Sequence, residues 1–147
     1  MRISKNNIHI HFKESIFQTS TSPYEEVCFI LNIGKSKKDI YLSYYEIGSL
    51  GMACSICNKI NPTIGLDVTT EQDDTEVEIE SKYYFISLST KTNEMVVLPK
   101  DRRDDKFKFS INYQHLYNIL NTANNVVNSL VEIKQKSKDT TDKLCKN

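Results

Sequence analysis

The chain has 147 residues, 39% of them hydrophobic, and its 19 basic and 19 acidic side chains cancel. This length suits one compact domain or two small units that share a core, and the apolar content excludes general disorder. No run of about 18 apolar residues is present, which argues against a membrane span. The N-terminal stretch "MRISKNNIHIHF" lacks the apolar block of a signal peptide. We therefore expect an intracellular protein whose four cysteines are mostly reduced.

The first half of the chain predicts four strands. Ile8, Ile10 and Phe12 alternate with polar residues, which is the period of a half-buried first strand. "SIFQTST" (15–21) predicts a second strand and "EEVCFILNI" (25–33) a third, more central one. A lysine-rich turn follows, and "DIYL" (39–42) predicts the fourth strand.

A helix follows these strands, and it contains a Cys-x-x-Cys motif. Ser43 and Glu46 have the spacing of a capping box, and the apolar residues after them recur at spacings of three and four until Asn61-Pro62. They are Ile47, Leu50, Cys54, Cys57 and Ile60. Core packing is our interpretation of Cys54 and Cys57, because they continue this stripe. A zinc site or a redox dithiol remains open, although zinc needs two further ligands and a reactive cysteine normally lies at a helix N-terminus.

The second half repeats this arrangement after an acidic connector (67–75). "VEIE", "KYYFISLST", "EMVVL" and "KFKFSI" predict four strands, with a turn at "KTN". A final helix is predicted from an Asn112 cap to about Gln135, and residues 137–147 are predicted to be a disordered tail. Its apolar stripe consists of Leu116, Ile119, Ala123, Val126, Leu130 and Ile133.

The two halves align without a gap when the sequence is shifted by 69 positions. Ser43 falls on Asn112, Cys54 on Ala123 and Cys57 on Val126, which supports packing roles for both cysteines. We therefore predict an α+β fold in which two antiparallel four-stranded sheets are each followed by a helix. The first repeat comprises residues 1–66 and the second residues 76–136, and together they form one domain because a single unit has too small a core.

A ββββα unit used in pairs resembles the single-stranded-DNA-binding group that includes the Whirly proteins, Pur-alpha and the positive-cofactor-four coactivators. The likeness is best at the strand-to-helix junctions "KKDIYLSYYEIGSL" and "KFKFSINYQHLYNIL". The resemblance implies that single-stranded DNA or RNA binds on the open sheet faces. The expected location within the cell is the cytoplasm, nucleoid or nucleus. Further assembly into a homo-oligomer, through sheet edges or helices, is also expected.

Single-strand binding requires cations that follow the phosphates and aromatic rings on which bases stack. The second repeat has Glu78 and Glu80 where the first has His9 and His11, so the first half is expected to carry more of the binding. Residues on the predicted open faces and in the adjoining turns form the candidate site. They are His9, His11, Lys13, Lys35, Lys37, Lys38, Tyr41, Tyr84, Arg102, Arg103, Lys106 and Lys108.

No catalytic or cofactor motif is present: the sequence has no Gly-x-Gly-x-x-Gly, phosphate loop, Gly-x-Ser-x-Gly or His-Glu-x-x-His. We predict a non-enzymatic protein without cofactor or bound metal; His9 and His11 alternate onto one strand face, but no further ligand accompanies them. The alternative function is a protein-interaction module, an adaptor or an inhibitor from a mobile element. It would use the same sheets or the asparagine-rich face of the last helix.

Overall fold

The computed structural model describes residues 1–12, 27–58 and 75–145, with side chains up to residue 133. It consists of two antiparallel four-stranded sheets, each followed by a helix, as predicted. Sheet 1 contains β1 (Arg2–Lys5), β2 (Ile8–His11), β3 (Cys28–Ile33) and β4 (Ile40–Ser43), and α1 (Tyr44–Asn58) follows. Sheet 2 contains β5 (Glu76–Glu80), β6 (Tyr84–Ser89), β7 (Glu94–Pro99) and β8 (Phe107–Ser110), and α2 (Tyr113–Cys145) follows. Strands are neighbours in chain order in both sheets.

The first strand of the chain is one that the sequence did not predict. β1 pairs antiparallel with β2, so residues 8–12 contain the second strand, and their prediction as the first strand is wrong. Asn6 and Asn7 both have positive φ (53° and 63°), the combination that a two-residue hairpin turn requires. β1 contains one half-buried apolar residue, Ile3, because an edge strand contributes little to the core.

The gap-free alignment of the two halves holds only at the strand-to-helix junctions. The helices begin at Tyr44 and Tyr113, 69 positions apart. The same offset, however, places β2 on β5, which is the first strand of its sheet. The connection from β2 to β3 is longer than the hairpin from β6 to β7. The two halves therefore repeat the same order of strands and helix, but no single sequence offset aligns all of their elements. The predicted strand 15–21 and residue Ile60 lie outside the described residues.

Both helices begin with the predicted caps. Ser43 Oγ accepts a hydrogen bond from the Glu46 backbone N–H (3.2 Å), and Glu46 Oε1 accepts one from the Ser43 N–H (2.8 Å). At α2, Asn112 Oδ1 accepts a hydrogen bond from the backbone N–H of His115 (3.1 Å). These side chains satisfy N–H groups that have no partner within the helix, which explains why both helices begin immediately after these residues.

The two units interlock through their helices. α1 and α2 pack against each other; α1 also contacts β3 and β4 of its own sheet and β5 and β6 of the other, while α2 contacts β1 and β2. Polar links join the units as well: the Tyr44 hydroxyl donates to Asn128 Oδ1 (2.5 Å), and the Asn58 amide donates to Gln114 Oε1 (2.7 Å). The buried residues of both units therefore form one continuous core.

α2 is longer than predicted, and its buried face turns away from the predicted stripe. The helix continues to Cys145, through most of the segment predicted as a disordered tail. Leu116, Ile119 and Ala123 are buried as expected, but burial then passes to Val127 and Val131, and Ile133 is 59% exposed. Val131 lies five full turns after the buried Tyr113 at 3.6 residues per turn, so both lie on the core side of the helix, whereas Ile133 lies on the opposite side. No helix within the described residues has both the length and the apolar content needed to cross a bilayer.

Candidate nucleic-acid interface

The outer face of sheet 1 carries the first part of the candidate site. Strand register places Arg2, His11, Ile30 and Tyr41 in one row across the four strands. The inward neighbours of these residues are apolar and buried, for example Ile10, Leu31 and Ile40, so the row faces solvent. Arg2, His11 and Tyr41 are exposed, and we call this row the sheet 1 face.

The histidines alternate onto this face as predicted. His9 lies one row from His11, and its Nδ1 is 2.8 Å from Ser4 Oγ, which holds the ring against β1. Among the described residues, no three His, Cys, Asp or Glu side chains gather in a way that could hold a metal ion. In this arrangement the histidines are polar groups of an open sheet surface.

A groove of about 600 Å³ adjoins the sheet 1 face where β4 meets the ends of β6 and β7. Residues 28–41 of the first unit and 83–107 of the second line it together. Its lining residues are Cys28, Lys37, Lys38, Asp39, Tyr41, Tyr83, Tyr84, Pro99, Asp101, Arg102, Asp105 and Phe107. The groove thus gathers five predicted site residues, Lys37, Lys38, Tyr41, Tyr84 and Arg102, from distant parts of the chain.

Two tyrosine rings of the groove are open to solvent. Tyr41 on β4 is 44% exposed, and Tyr83, which immediately precedes β6, is 52% exposed. The Lys82 ammonium lies 5.3 Å from the centroid of the Tyr83 ring, a distance typical of a cation–π contact. The sequence prediction missed Tyr83, because two adjacent tyrosines at the start of a strand leave open which one faces the core.

Tyr84 was predicted as a stacking ring, and this prediction is wrong because the ring is 8% exposed. Its strand phase is that of Ile86 and Leu88, which are buried. Its hydroxyl oxygen accepts the Tyr41 backbone N–H (3.2 Å) and donates to the Asp39 carbonyl (3.5 Å). Burial, the largest cause, raises the pKa of Tyr84, and the negative charge of Asp101 also contributes to this rise. Tyr84 therefore joins the two sheets at the base of the groove.

The cations of the groove differ in how freely they can meet a ligand. Lys38 Nζ forms an ion pair with Asp105 (3.2 Å) and lies 5.8 Å from the Phe107 ring centroid. Lys37 and Arg102 are exposed and form no ion pair within the described part of the chain. Lys35 is also exposed, in the turn after β3 that Gly34 makes with a φ of 67°.

The carboxylates of the groove were not predicted as site residues. Asp39 Oδ1 accepts a hydrogen bond from the Asn32 amide (3.1 Å), and the same amide donates to the carbonyls of Ser36 and Lys38. This network holds the lysine turn in place. Asp105 is paired with Lys38, so Asp101 is the groove carboxylate that has no polar partner among the residues described. Three carboxylates and three cations leave the groove close to neutral.

The remaining predicted cations lie elsewhere. Arg103 and Lys106 border a separate depression of about 340 Å³ on the outer face of sheet 2, and Lys108 lies on the same face, 3.7 Å from Glu94. Lys13 lies outside the described residues. The predicted site is thus divided between two surfaces, and the sheet 1 face with the groove holds the exposed rings.

The three cysteines whose side chains the structure describes, Cys28, Cys54 and Cys57, are free thiols. Cys54 and Cys57 are buried in the core, and burial raises the pKa of both thiols, that of Cys54 to about 12. A thiol held protonated in this way is a poor nucleophile and metal ligand, in agreement with a packing role. Cys28, in contrast, is an exposed residue at the groove. Its thiol is still partly shielded from solvent, and this partial burial, followed by the negative charge of the nearby Glu46 carboxylate, raises its pKa.

Comparison with protein-family models, curated proteins and solved structures finds no match for this chain. The resemblance to the Whirly, Pur-alpha and positive-cofactor-four group therefore stays a prediction.

Proposed function

We propose that this chain binds single-stranded nucleic acid through the groove and the adjoining sheet 1 face. The observation that carries the proposal is the presence of two exposed rings, Tyr41 and Tyr83, beside Lys37 and Arg102, two exposed cations that form no ion pair with any residue described. Stacking of a base on an aromatic ring contributes about 1–3 kcal/mol per base, with little dependence on sequence. In a duplex the faces of the bases are already stacked, so exposed rings favour a single strand.

The sheet 1 face extends this surface beyond the groove. The row from Tyr41 to Arg2 crosses four strands, which at about 4.8 Å between neighbouring strands is a distance of about 14 Å. Arg2 at its far end supplies a further cation for the phosphates. A strand that leaves the groove at Tyr41 would pass over His11 to reach Arg2.

The charges of this surface predict a modest dependence on salt. Counterion release lowers the affinity for a single strand with a logarithmic slope of about −0.7 for each phosphate contacted. Arg2, Lys37 and Arg102 are three cations, so the expected slope is about −2. This weak dependence of the affinity on salt is what the neutral composition leads us to expect. Much of the binding free energy would then come from stacking on the tyrosine rings.

Fluorescence anisotropy with a labelled single-stranded oligonucleotide, and with the matching duplex, tests the proposal. Tyr41→Ala and Tyr83→Ala should each weaken single-strand binding by about 5-fold to 150-fold, which is the range that one lost stack corresponds to. Tyr45→Ala is the matched control, because Tyr45 is an exposed tyrosine on α1, away from the groove. The Tyr45→Ala variant should bind the single-stranded oligonucleotide with the affinity of the wild type.

Cation variants give a second, independent readout. Lys37→Ala and Arg102→Ala should each reduce the salt slope by about 0.7, whereas Lys91→Ala, in the exposed turn between β6 and β7, should not change it. Absence of oligonucleotide binding at low salt would refute the proposed function. Equal binding of single strand and duplex would refute the role given to the rings.

Protein binding is the second candidate function, and the outer face of sheet 2 favours it. Phe85, Val96 and Leu98 form a half-buried apolar floor there, with Lys100 over the Phe85 ring. An apolar centre with a charged rim is the usual anatomy of a protein interface. Salt distinguishes the two functions, since an interface centred on apolar contacts weakens less at high salt than phosphate contacts do.

A further inference from the structure

The outer face of sheet 2 has an ordered charge pattern across its strands. The edge strand β5 carries Glu76, Glu78 and Glu80 outward. The two central strands contribute the apolar Phe85, Val96 and Leu98, with Glu94 at one end of this floor and Lys100, 5.1 Å from the centroid of the Phe85 ring, at the other. The opposite side carries cations: Lys108 on β8, Lys106 just before it and Arg103 in the short 3₁₀ turn. The face is therefore acidic at the β5 side and basic at the β8 side, and its middle is apolar apart from Glu94 and Lys100 at the two ends.

Strand register fixes which residues lie opposite one another in this pattern. Glu78, Ser87, Val96 and Lys108 occupy one row across the four strands. The midline of the sheet falls between β6 and β7, so Glu78 and Lys108 are equally far from it on opposite sides.

We infer that the outer face of sheet 2 binds the same face of a second copy of this chain, around a two-fold axis parallel to the strands at the midline. Such a rotation exchanges the two sides of the sheet, so β5 of one copy covers β8 of the other. Glu78 then faces Lys108 of the second copy, and the reverse pair forms at the same time. The apolar floors meet at the centre, as in face-to-face packing of sheets about 10 Å apart.

The charges that remain free on this face agree with the pairing. Glu80 is already bonded to Lys100 (2.7 Å), and Lys108 has a longer contact with Glu94 (3.7 Å). Glu78, Arg103 and Lys106 have no ion pair within the described part of the chain. A two-fold axis perpendicular to the strands would bring β5 over β5, where the carboxylates would repel one another, and a parallel axis displaced from the midline would bring β5 over the apolar centre, where they would lose water without a partner.

This assembly leaves the groove and the sheet 1 face uncovered in both copies. It therefore goes beyond the proposed function and does not depend on it. Arg103, Lys106 and Lys108, which the sequence predicted as phosphate contacts, would instead serve the protein interface.

Sedimentation velocity over the micromolar range tests the inference with a pair of charge reversals. The wild type should reach twice the monomer mass of 17.0 kDa. Glu78→Lys and Lys108→Glu should each raise the dimer Kd by about tenfold or more, because each changes two symmetry-related pairs from attraction to repulsion. The double variant should return the Kd towards the wild-type value, because the pairs are restored with the opposite polarity.

Two controls keep the result unambiguous. Lys91→Glu changes the net charge by the same amount as Lys108→Glu, but residue 91 lies in the turn between β6 and β7. The dimer Kd of this variant should therefore be that of the wild type. Thermal unfolding of each variant, at a concentration low enough for the protein to be monomeric, identifies any loss of stability. In Lys108→Glu, this includes the loss of the ion pair with Glu94. A wild type that stays monomeric throughout, or a double variant that dimerises no better than the two single ones, would overturn the inference.

Discussion

Replacing Glu46 with Ala should destabilise the protein more than the loss of a helix cap does. The Glu46 carboxylate accepts two backbone N–H groups, that of Ser43 at 2.8 Å and that of Lys82 at 2.6 Å. Ser43 belongs to the same capping box, whereas Lys82 belongs to the second unit. A net contribution of about 1.5 kcal/mol for each hydrogen bond to a charged group gives an expected loss of about 3 kcal/mol for Glu46→Ala.

Two further variants separate the cap from the link between the units. Ser43→Ala removes only the hydroxyl that accepts the Glu46 N–H, for an expected loss of about 1 kcal/mol. Glu46→Gln retains one carbonyl oxygen, which can serve one of the two N–H groups, and should therefore lie between the wild type and Glu46→Ala. The free energy of unfolding is measured by urea denaturation. A loss for Glu46→Ala no larger than that for Ser43→Ala would refute a stabilising link to Lys82.

Three other predictions concern the core and the groove. Cys54 should lower the free energy of unfolding by up to about 1.4 kcal/mol per pH unit between pH 9 and 12, because the unfolded chain releases its proton at the ordinary pKa of 9.0 while burial holds the folded value at about 12. Cys54→Ala should make the decline shallower in urea titrations at each pH, and the part that remains comes from other groups whose pKa values burial also raises, among them Cys57 and Tyr113. Tyr84→Phe should cost about 1 kcal/mol of stability through the lost hydroxyl contacts and should leave the oligonucleotide affinity unchanged; a weaker affinity would show that this hydroxyl takes part in binding. Alkylation of Cys28, followed by peptide mass spectrometry, should slow when oligonucleotide is bound, and an unchanged rate under saturation would place the ligand outside the groove.

Local signals account for the parts of the fold that the sequence predicted correctly. The caps at Ser43 and Asn112 depend on side chains within three residues of the N–H groups they satisfy, so spacing alone identifies them. The buried stripe of α1 follows from apolar residues three and four positions apart. β1 was missed because Ile3 is its one apolar residue, and an edge strand obtains most of its order from its neighbour and not from its own pattern.

Long-range packing accounts for what the sequence did not predict. The groove exists because residues near position 40 and near position 100 meet where β4 approaches β6 and β7, and no local pattern indicates that approach. The phase of Tyr83 and Tyr84 could not be assigned, since either ring fits the first inward position of β6. The sequence does not single out the carboxylates of Asp39 and Asp101, because only the fold brings them beside the cations of the groove.

The interlocked helices have a consequence for how the chain is made. α1 has one charged residue, Glu46, and part of its apolar surface is covered by β5 and β6, which leave the ribosome after it. Until the second half has been synthesised, the apolar surface of α1 that β5 and β6 cover therefore stays exposed to solvent. Nascent chains with exposed apolar surface are prone to associate wrongly. Splitting the coding sequence between the two units should yield halves that are soluble only when they are produced together.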